Sequence, residues 1–415
     1  MNEQTSRFVD AARGLAALAV LFTHVEAHVL VAYADIPADH RGLLAALVWF
    51  FYGFAHQAVV VFFVLSGFLV GGASLSRAER GQRFLSAYLL DRTVRIYLVL
   101  VPTLFVTLAL DMAGRRWFGG TGIYDIEAFA GRSSLGVFLA NLASLQDIFA
   151  PYFGTNSALW TLSHEFWYYV TFGLFAASLS SGYSSRTRKF ALAGSAILLA
   201  LMSASLSYHL FGFVLWMTGV GAARATRAPM RSARLALAVF LSVAIGLRLG
   251  LRYSLVEIWW IGGLADAAVA LAFANLLATL RFDNGPVWRF STWRVHARLS
   301  EISYSLYAVH LPVLVILCAA AQQTFGIGWR TAPTHWTHWV VMAAILFATI
   351  AIARLFWRVA EARTPAVRAF ARNLHRIDDD LVFGPAGVSG ELAGGDHFHA
   401  VLRVKGDACG IALPH

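Results

Sequence analysis

Ten runs of apolar residues, most of them close to bilayer-crossing length, alternate with short gaps that collect most of the arginines. A soluble domain carries about 25% charged residues. This chain has 13% charged and 58% hydrophobic residues, too few charges to clothe a soluble surface of 415 residues. The pattern excludes a disordered chain and an ordinary soluble enzyme, and it predicts an all-α polytopic membrane protein. A helix rises about 1.5 Å per residue, so roughly 20 residues cross the hydrocarbon core. The expected spans are 12–33, 47–72, 94–112, 160–180, 190–206, 208–223, 235–250, 256–280, 302–322 and 337–357. The apolar stretch 134–149 is too short and polar to span, and reads as an interfacial or re-entrant piece. The first stretch lacks a small-residue cleavage site, so it is expected to be retained as a span.

Arginine placement orients these spans. With the N-terminus inside, the cytoplasmic gaps hold Arg77, Arg80, Arg83, Arg92 and Arg95, then Arg186, Arg188 and Lys189, then Arg224, Arg227, Arg231 and Arg234. Arg281, Arg289, Arg294 and Arg298 follow, and then the C-terminal arginines. The opposite gaps hold only Arg41, then Arg115, Arg116 and Arg132 in one long loop, then Arg252 and Arg330. This alternation predicts both termini in the cytoplasm, and it explains the net charge of +10 without nucleic acid. Residues 1–360 form the expected membrane domain. The tail 361–415 is basic and glycine-containing, without sustained periodicity after Pro365, and reads as partly disordered. Cys318 and Cys409 lie too far apart in sequence for a metal or redox motif. No internal repeat is visible.

Ionisable groups inside spans are costly, at least about 2.5–3.5 kcal/mol each, so they mark functional candidates. On the first span, Asp10, Arg13 and His24 fall in one narrow sector, with Arg13 and His24 about 16 Å apart along the axis. A neutral imidazole beyond the midplane suits proton abstraction, or it is a hydrogen-bonded packing residue. His28, one turn from His24, invites a metal reading, but one such pair is a weak signal and no metal is expected. Ser and Gly in Phe62-Phe63-Val64-Leu65-Ser66-Gly67-Phe68-Leu69 read as tight helix packing. Arg92 and Arg95 can address one anion with two guanidinium forks, phosphate being the obvious match, or they anchor the span. Glu165, entering the fourth span from the other side, reaches a depth similar to His24 and could orient it. Tyr168 and Tyr169 share the side of Glu165. Ser303, Tyr307 and His310 form a polar stripe on the ninth span, where Pro312 should kink the helix.

Together these elements resemble the membrane-bound acyltransferase 3 family of bacterial O-acyltransferases. The resemblance rests on Arg7-x-x-Asp10-x-x-Arg13-Gly14 with His24, the Phe62–Leu69 run, Arg92-x-x-Arg95, Trp160-Thr161-Leu162-x-x-Glu165, and Ser303-Tyr304-x-Leu306-Tyr307-x-x-His310-x-Pro312. Where the family commonly has Asp-Gly-Leu-Arg-Gly, this chain has Asp10-Ala11-Ala12-Arg13-Gly14, and the proline behind the arginine pair comes only at Pro102. No hydrolase-like domain, such as some family members carry, is expected at the C-terminus. The resemblance implies acyl transfer, usually of acetyl, from cytoplasmic acyl-coenzyme A to a hydroxyl of an extracytoplasmic glycan or lipid-linked saccharide. The location implied is the bacterial cytoplasmic membrane. Acyl-coenzyme A would be a co-substrate, with no permanently bound cofactor. By the same analogy Arg92 and Arg95 engage the coenzyme A phosphates, His24 is the essential histidine and Glu165 its acidic partner, with Asp10 and Arg13 in the catalytic group. Tyr169, Ser303, Tyr307 and His310 are the expected substrate contacts. The competing expectation is an exporter of a glycan or lipid-linked intermediate, whose path the same groups would line.

Overall fold

The computed structural model describes residues 1–204, 208–250, 259–283, 285 and 288–382. The chain divides into two units, Met1–Arg372 and Asn373–His415. Of the second, only residues 373–382 are described, and they are helical.

The first unit is an all-α membrane bundle. Its helices are α1 (Glu3–Val29), α2 (Leu43–Tyr52), α3 (Ala55–Ser66), α4 (Gly72–Glu79), α5 (Leu85–Phe118), α6 (Leu135–Leu142), α7 (Trp160–Leu179), α8 (Ser185–Ala204), α9 (His209–Arg224), α10 (Ala233–Gly250), α11 (Trp259–Leu280), α12 (Arg294–Phe325) and α13 (Trp336–Val359). A final helix, α14 (Thr364–Val382), runs to the end of the described residues. Nine of the ten expected spans each overlap one long helix, and the second, 47–72, runs from within α2 through α3 to the start of α4. Among the described residues, eight helical stretches are long and apolar enough to cross a bilayer. The helices α7 and α9 fall outside that set for different reasons. Helix α9 has only 16 residues, whereas α7 has 20 but buries Thr161, Ser163, His164 and Thr171 among its neighbours. A helix that faces protein instead of lipid needs no uniformly apolar surface.

Burial orders the bundle. In α12, 83% of the most apolar window is buried, against 17% in α8 and in α10, so α12 is central and α8 and α10 lie at the periphery. Helix α12 packs against α1, α5 and α13, while α9 joins α3 to α11. The segment 134–149, expected not to span, is the eight-residue α6 followed by a tight turn with positive φ at Ser144 and Asp147. The stretch after Pro365 departs from expectation: it forms α14. Proline in the first turn costs no hydrogen bond there, and Val367, Phe370 and Ala371 recur at helical spacing among the arginines. Arg252, residues 205–206 and 256–258 of two expected spans, Cys409 and the tail beyond 382 lie outside the described residues.

Several arginines close the ends of neighbouring helices. A helix ends with carbonyls that have no partner in the helix. Arg281 donates to the Ala222 and Ala225 carbonyls at the end of α9, and Arg188 Nε donates to the Ser178 carbonyl at the end of α7. Arg248 donates to the Trp49 and Phe50 carbonyls near the end of α2 and stacks on Trp49, 3.9 Å from its ring centre.

The closest packing surrounds the junction of α3 and α4. These helices are continuous through a wider π-type turn at Gly67–Gly71. There the backbones of α3 and α9 meet: a Cβ on Gly67 would stand 1.9 Å from the Trp216 carbonyl oxygen, and one on Gly219 would stand 2.0 Å from that of Val64. Both obstacles are backbone, so neither can swing aside. Gly221, two residues further along α9, faces open space. Alanine in place of glycine favours a helix by about 1 kcal/mol, whereas overpacking costs about 1–3 kcal/mol. Gly219→Ala should therefore lower the unfolding temperature in detergent, and Gly221→Ala should leave it unchanged or raise it. Equal behaviour of the two variants would contradict the close approach.

Candidate active site

The site is assembled on α1 and α12, which run side by side in the same direction. Ser300 Oγ donates to Asp10 Oδ1 at 3.0 Å, Arg13 Nη2 lies 3.5 Å from Ser303 Oγ, and His24 meets His310 further along both helices. Gly14 permits this approach, because its missing Cβ would stand 2.9 Å from Leu299 Cβ and 3.3 Å from the His296 carbonyl oxygen. At the far end the Arg330 and Thr331 amides donate to the His28 and Val29 carbonyls and close the last turn of α1.

One cavity of about 240 Å³ holds most of the expected residues: Arg13, Arg92, Arg95, Glu165, Tyr169, Ser303 and Tyr307. A larger cavity of about 880 Å³ elsewhere in the bundle is lined by no ionisable side chain, so of the two the smaller is the one equipped for charge chemistry. Arg92 packs over the faces of Tyr88 and Tyr169, and Arg95 over Tyr304, with ring centres 5.6–5.9 Å from the guanidinium carbons. Such stacking holds the guanidinium planes while leaving their N–H forks for a ligand.

Glu165 sits among these groups but not where the sequence suggested. Its carboxylate accepts from Ser66 Oγ at 2.8 Å and from the Tyr169 hydroxyl, and Ser66 in turn accepts from Trp216 Nε1 at 3.0 Å. Similar depth on two helices does not give the same azimuth, and Glu165 makes no hydrogen bond to His24. The partner of His24 is His310, whose Nε2 lies 2.9 Å from His24 Nδ1. Tyr307 joins the two regions: it lines the cavity, and its ring centre is 5.8 Å from that of His310.

The hydrogen bonds of the pair settle the tautomers. His310 Nδ1 faces the Leu306 and Tyr307 carbonyls at 3.2 and 2.8 Å; carbonyls only accept, so Nδ1 carries the proton. Neutral His310 then offers Nε2 as an acceptor, and His24 must donate from Nδ1. The Val20 carbonyl also faces the His24 ring, which fits the same assignment. His24 Nε2 is left with its lone pair, the form a general base requires. His28 spends its Nδ1–H on the His24 carbonyl at 2.7 Å, and among the described residues no group of three or more His, Cys, Asp or Glu is placed to hold a metal ion.

Of the ten residues singled out from the sequence, seven line the cavity, two form the imidazole pair beside it, and Asp10 anchors α1 to Ser300. Sequence reasoning missed Ser66, because Ser-Gly in an apolar helix is also the signature of close packing. The glycine does serve that purpose, and the serine holds Glu165. Tyr304, stacked on Arg95, was visible only as part of a motif.

Residues 6–358 match the family model described as an acyltransferase domain, that of the acyltransferase 3 family. The match spans most of the chain, and the protein belongs to that family: it is a membrane acyltransferase. Comparisons with curated proteins and with solved structures return no match.

Hydrogen bonds to a charged group contribute about 1.5–3 kcal/mol. Ser66→Ala and Tyr169→Phe each remove one donor from Glu165, and each should lower the unfolding temperature. The double variant should cost more than the sum, because it strips the carboxylate of both. Strict additivity in thermal unfolding would show that the two hydroxyls do not share it.

Proposed function

We propose that this protein transfers an acyl group, acetyl foremost, from cytoplasmic acyl-coenzyme A to a hydroxyl of an extracytoplasmic glycan or lipid-linked saccharide, within the bacterial cytoplasmic membrane and with both termini inside. The observation that carries the reading is the His24–His310 pair, whose hydrogen bonds leave His24 Nε2 as a base beside a cavity lined by arginines. The guanidiniums of Arg92 and Arg95 match the charge and geometry of the coenzyme phosphates. Arg13 and His24 stand about 16 Å apart along α1, so phosphate binding and proton abstraction occupy separate zones bridged by an extended thioester arm.

In this mechanism His24 Nε2 takes the proton of the acceptor hydroxyl as its oxygen attacks the thioester carbonyl. The C–S bond breaks, the ester forms, and the coenzyme leaves as a thiolate that the proton on His24 neutralises. The Nδ1–H···Nε2 bond to His310 persists throughout, so His310 holds the ring and its tautomer without itself changing protonation. That orienting task was expected of Glu165. The carboxylate instead lies among Arg13, Arg95 and Tyr169, where it balances the charge of the donor site and fixes the tyrosine against Arg92.

General acid–base catalysis contributes about 10²–10⁴-fold. His24→Ala should abolish transfer of labelled acetyl to endogenous acceptor in membranes while acetyl-coenzyme A still binds. His310→Ala should lower turnover by roughly that same factor. His310→Gln, whose side-chain oxygen can accept from His24 Nδ1–H, should recover part of the loss. Wild-type turnover by His24→Ala would sink the role of the base. Absence of any acyl-coenzyme A binding by the folded wild type would move the assignment to an exporter.

A further inference from the structure

Helix α14 begins beyond the stretch matched by the family model, which ends at residue 358. Its first turns are pinned to the bundle: Arg372 donates from Nε to Asp91 Oδ1 at 2.9 Å and from Nη2 to Asp91 Oδ2, a two-pronged pair. Asp91 immediately precedes Arg92, so this pair brings α14 beside the arginine-bearing start of α5. Arg368 lies one turn before Arg372 on the same face of α14. It falls within electrostatic reach of both Arg92 and Arg95.

Three guanidiniums thus gather where like charges repel, and Glu165 and Glu361 offset part of that charge from the side of Arg95. Among the described residues, Arg92, Arg95 and Arg368 form no ion pair, and the Nε atoms of Arg92 and Arg368 are buried without a hydrogen-bond partner. Buried donors are nearly always satisfied, so two orphaned ones at one place call for an acceptor supplied from outside. The nearby carboxylates are already engaged. Asp91 is held by Arg372, Glu165 by Ser66 and Tyr169, Glu361 by the Ser305 amide and hydroxyl at 3.0 and 2.6 Å, and Asp10 by Ser300. What fits between α5 and the first turns of α14, before Asn373, is an oxyanion with several acceptor atoms.

We propose that Arg368 is a phosphate ligand of the acyl donor, so that residues 364–372 of α14 form a wall of the donor site and the phosphorylated nucleotide end of acyl-coenzyme A lies between them and α5. This rests on the donor reading above and extends the site past the family domain. The carbonyl chemistry is unaffected: Arg368 binds the end of the donor remote from the thioester.

The test is calorimetric titration of the full-length protein with acetyl-coenzyme A. It compares wild type, Arg368→Gln, Arg368→Lys, the Arg92→Ala/Arg95→Ala pair, and Arg363→Gln, an exposed arginine just before α14. Arg368→Gln should weaken binding by about tenfold or more, the size expected for a charge-assisted contact. Arg368→Lys should recover part of it, since it restores the charge without the fork, and Arg363→Gln should bind as wild type. If Arg368→Gln unfolds, judged by its melting temperature without ligand, the lysine variant decides through a smaller but measurable weakening. Binding by Arg368→Gln within twofold of wild type, while the Arg92/Arg95 pair variant fails to bind, overturns the role of Arg368 and leaves the donor reading standing. Equal weakening by Arg363→Gln also overturns it, since general charge would then account for the effect. A folded wild type that binds no acyl-coenzyme A overturns both.

Discussion

At Gly14 the helices that carry the reactive groups come so close that a single added carbon would press on Leu299 and on the His296 carbonyl. That contact sets the phase of α1 against α12 over their whole shared length. From it follow the pairing of Asp10 with Ser300, the approach of Arg13 to Ser303 and the hydrogen bond of His24 to His310. None of these is strong alone. A neutral imidazole pair in particular contributes little net free energy, on the order of 1 kcal/mol. Their geometry is held because packing forbids the helices to slide, and a pair positioned by packing does not depend on its own strength.

The all-α membrane fold was legible because apolar runs of the right length recur between gaps that collect the arginines. The same arginines hid α14. Interspersed through 368–376, they make the segment read as a basic tail, although its apolar residues keep helical spacing. The individual site residues were visible too, since an ionisable group in an apolar run is conspicuous. Their partnerships were not. Depth along a span can be counted in residues, but azimuth depends on how helices dock. Glu165 and His24 share a depth and still find different partners. His310 stood in plain view on the polar stripe of α12, and its role became readable only once α1 was laid against it.

The bundle also divides its labour by exposure. Peripheral α8 and α10 bury little and can be solved by lipid, whereas α7, too polar to count as an apolar span, is enclosed by neighbours and delivers Glu165 and Tyr169 to the cavity. A helix of this kind offsets the cost of its polar side chains with protein contacts, and bulk hydropathy underrates it as a span.

The wider turn at Gly67–Gly71 has a consequence for how the sequence can vary. A π-type turn holds one residue more than a regular one, so α3 and α4 are out of phase with each other by about 100°. Ser66 lies before the shift, and Gly71 and Gly72, which approach Val220 and Ala223 of α9, lie at its far end. Removing any one residue from this turn would give a straighter helix with a complete ladder of hydrogen bonds, yet it would swing Ser66 away from Glu165 or the glycines away from Trp216. The segment is therefore a place where insertions and deletions are costly, so its length is constrained together with the glycines at 67 and 71.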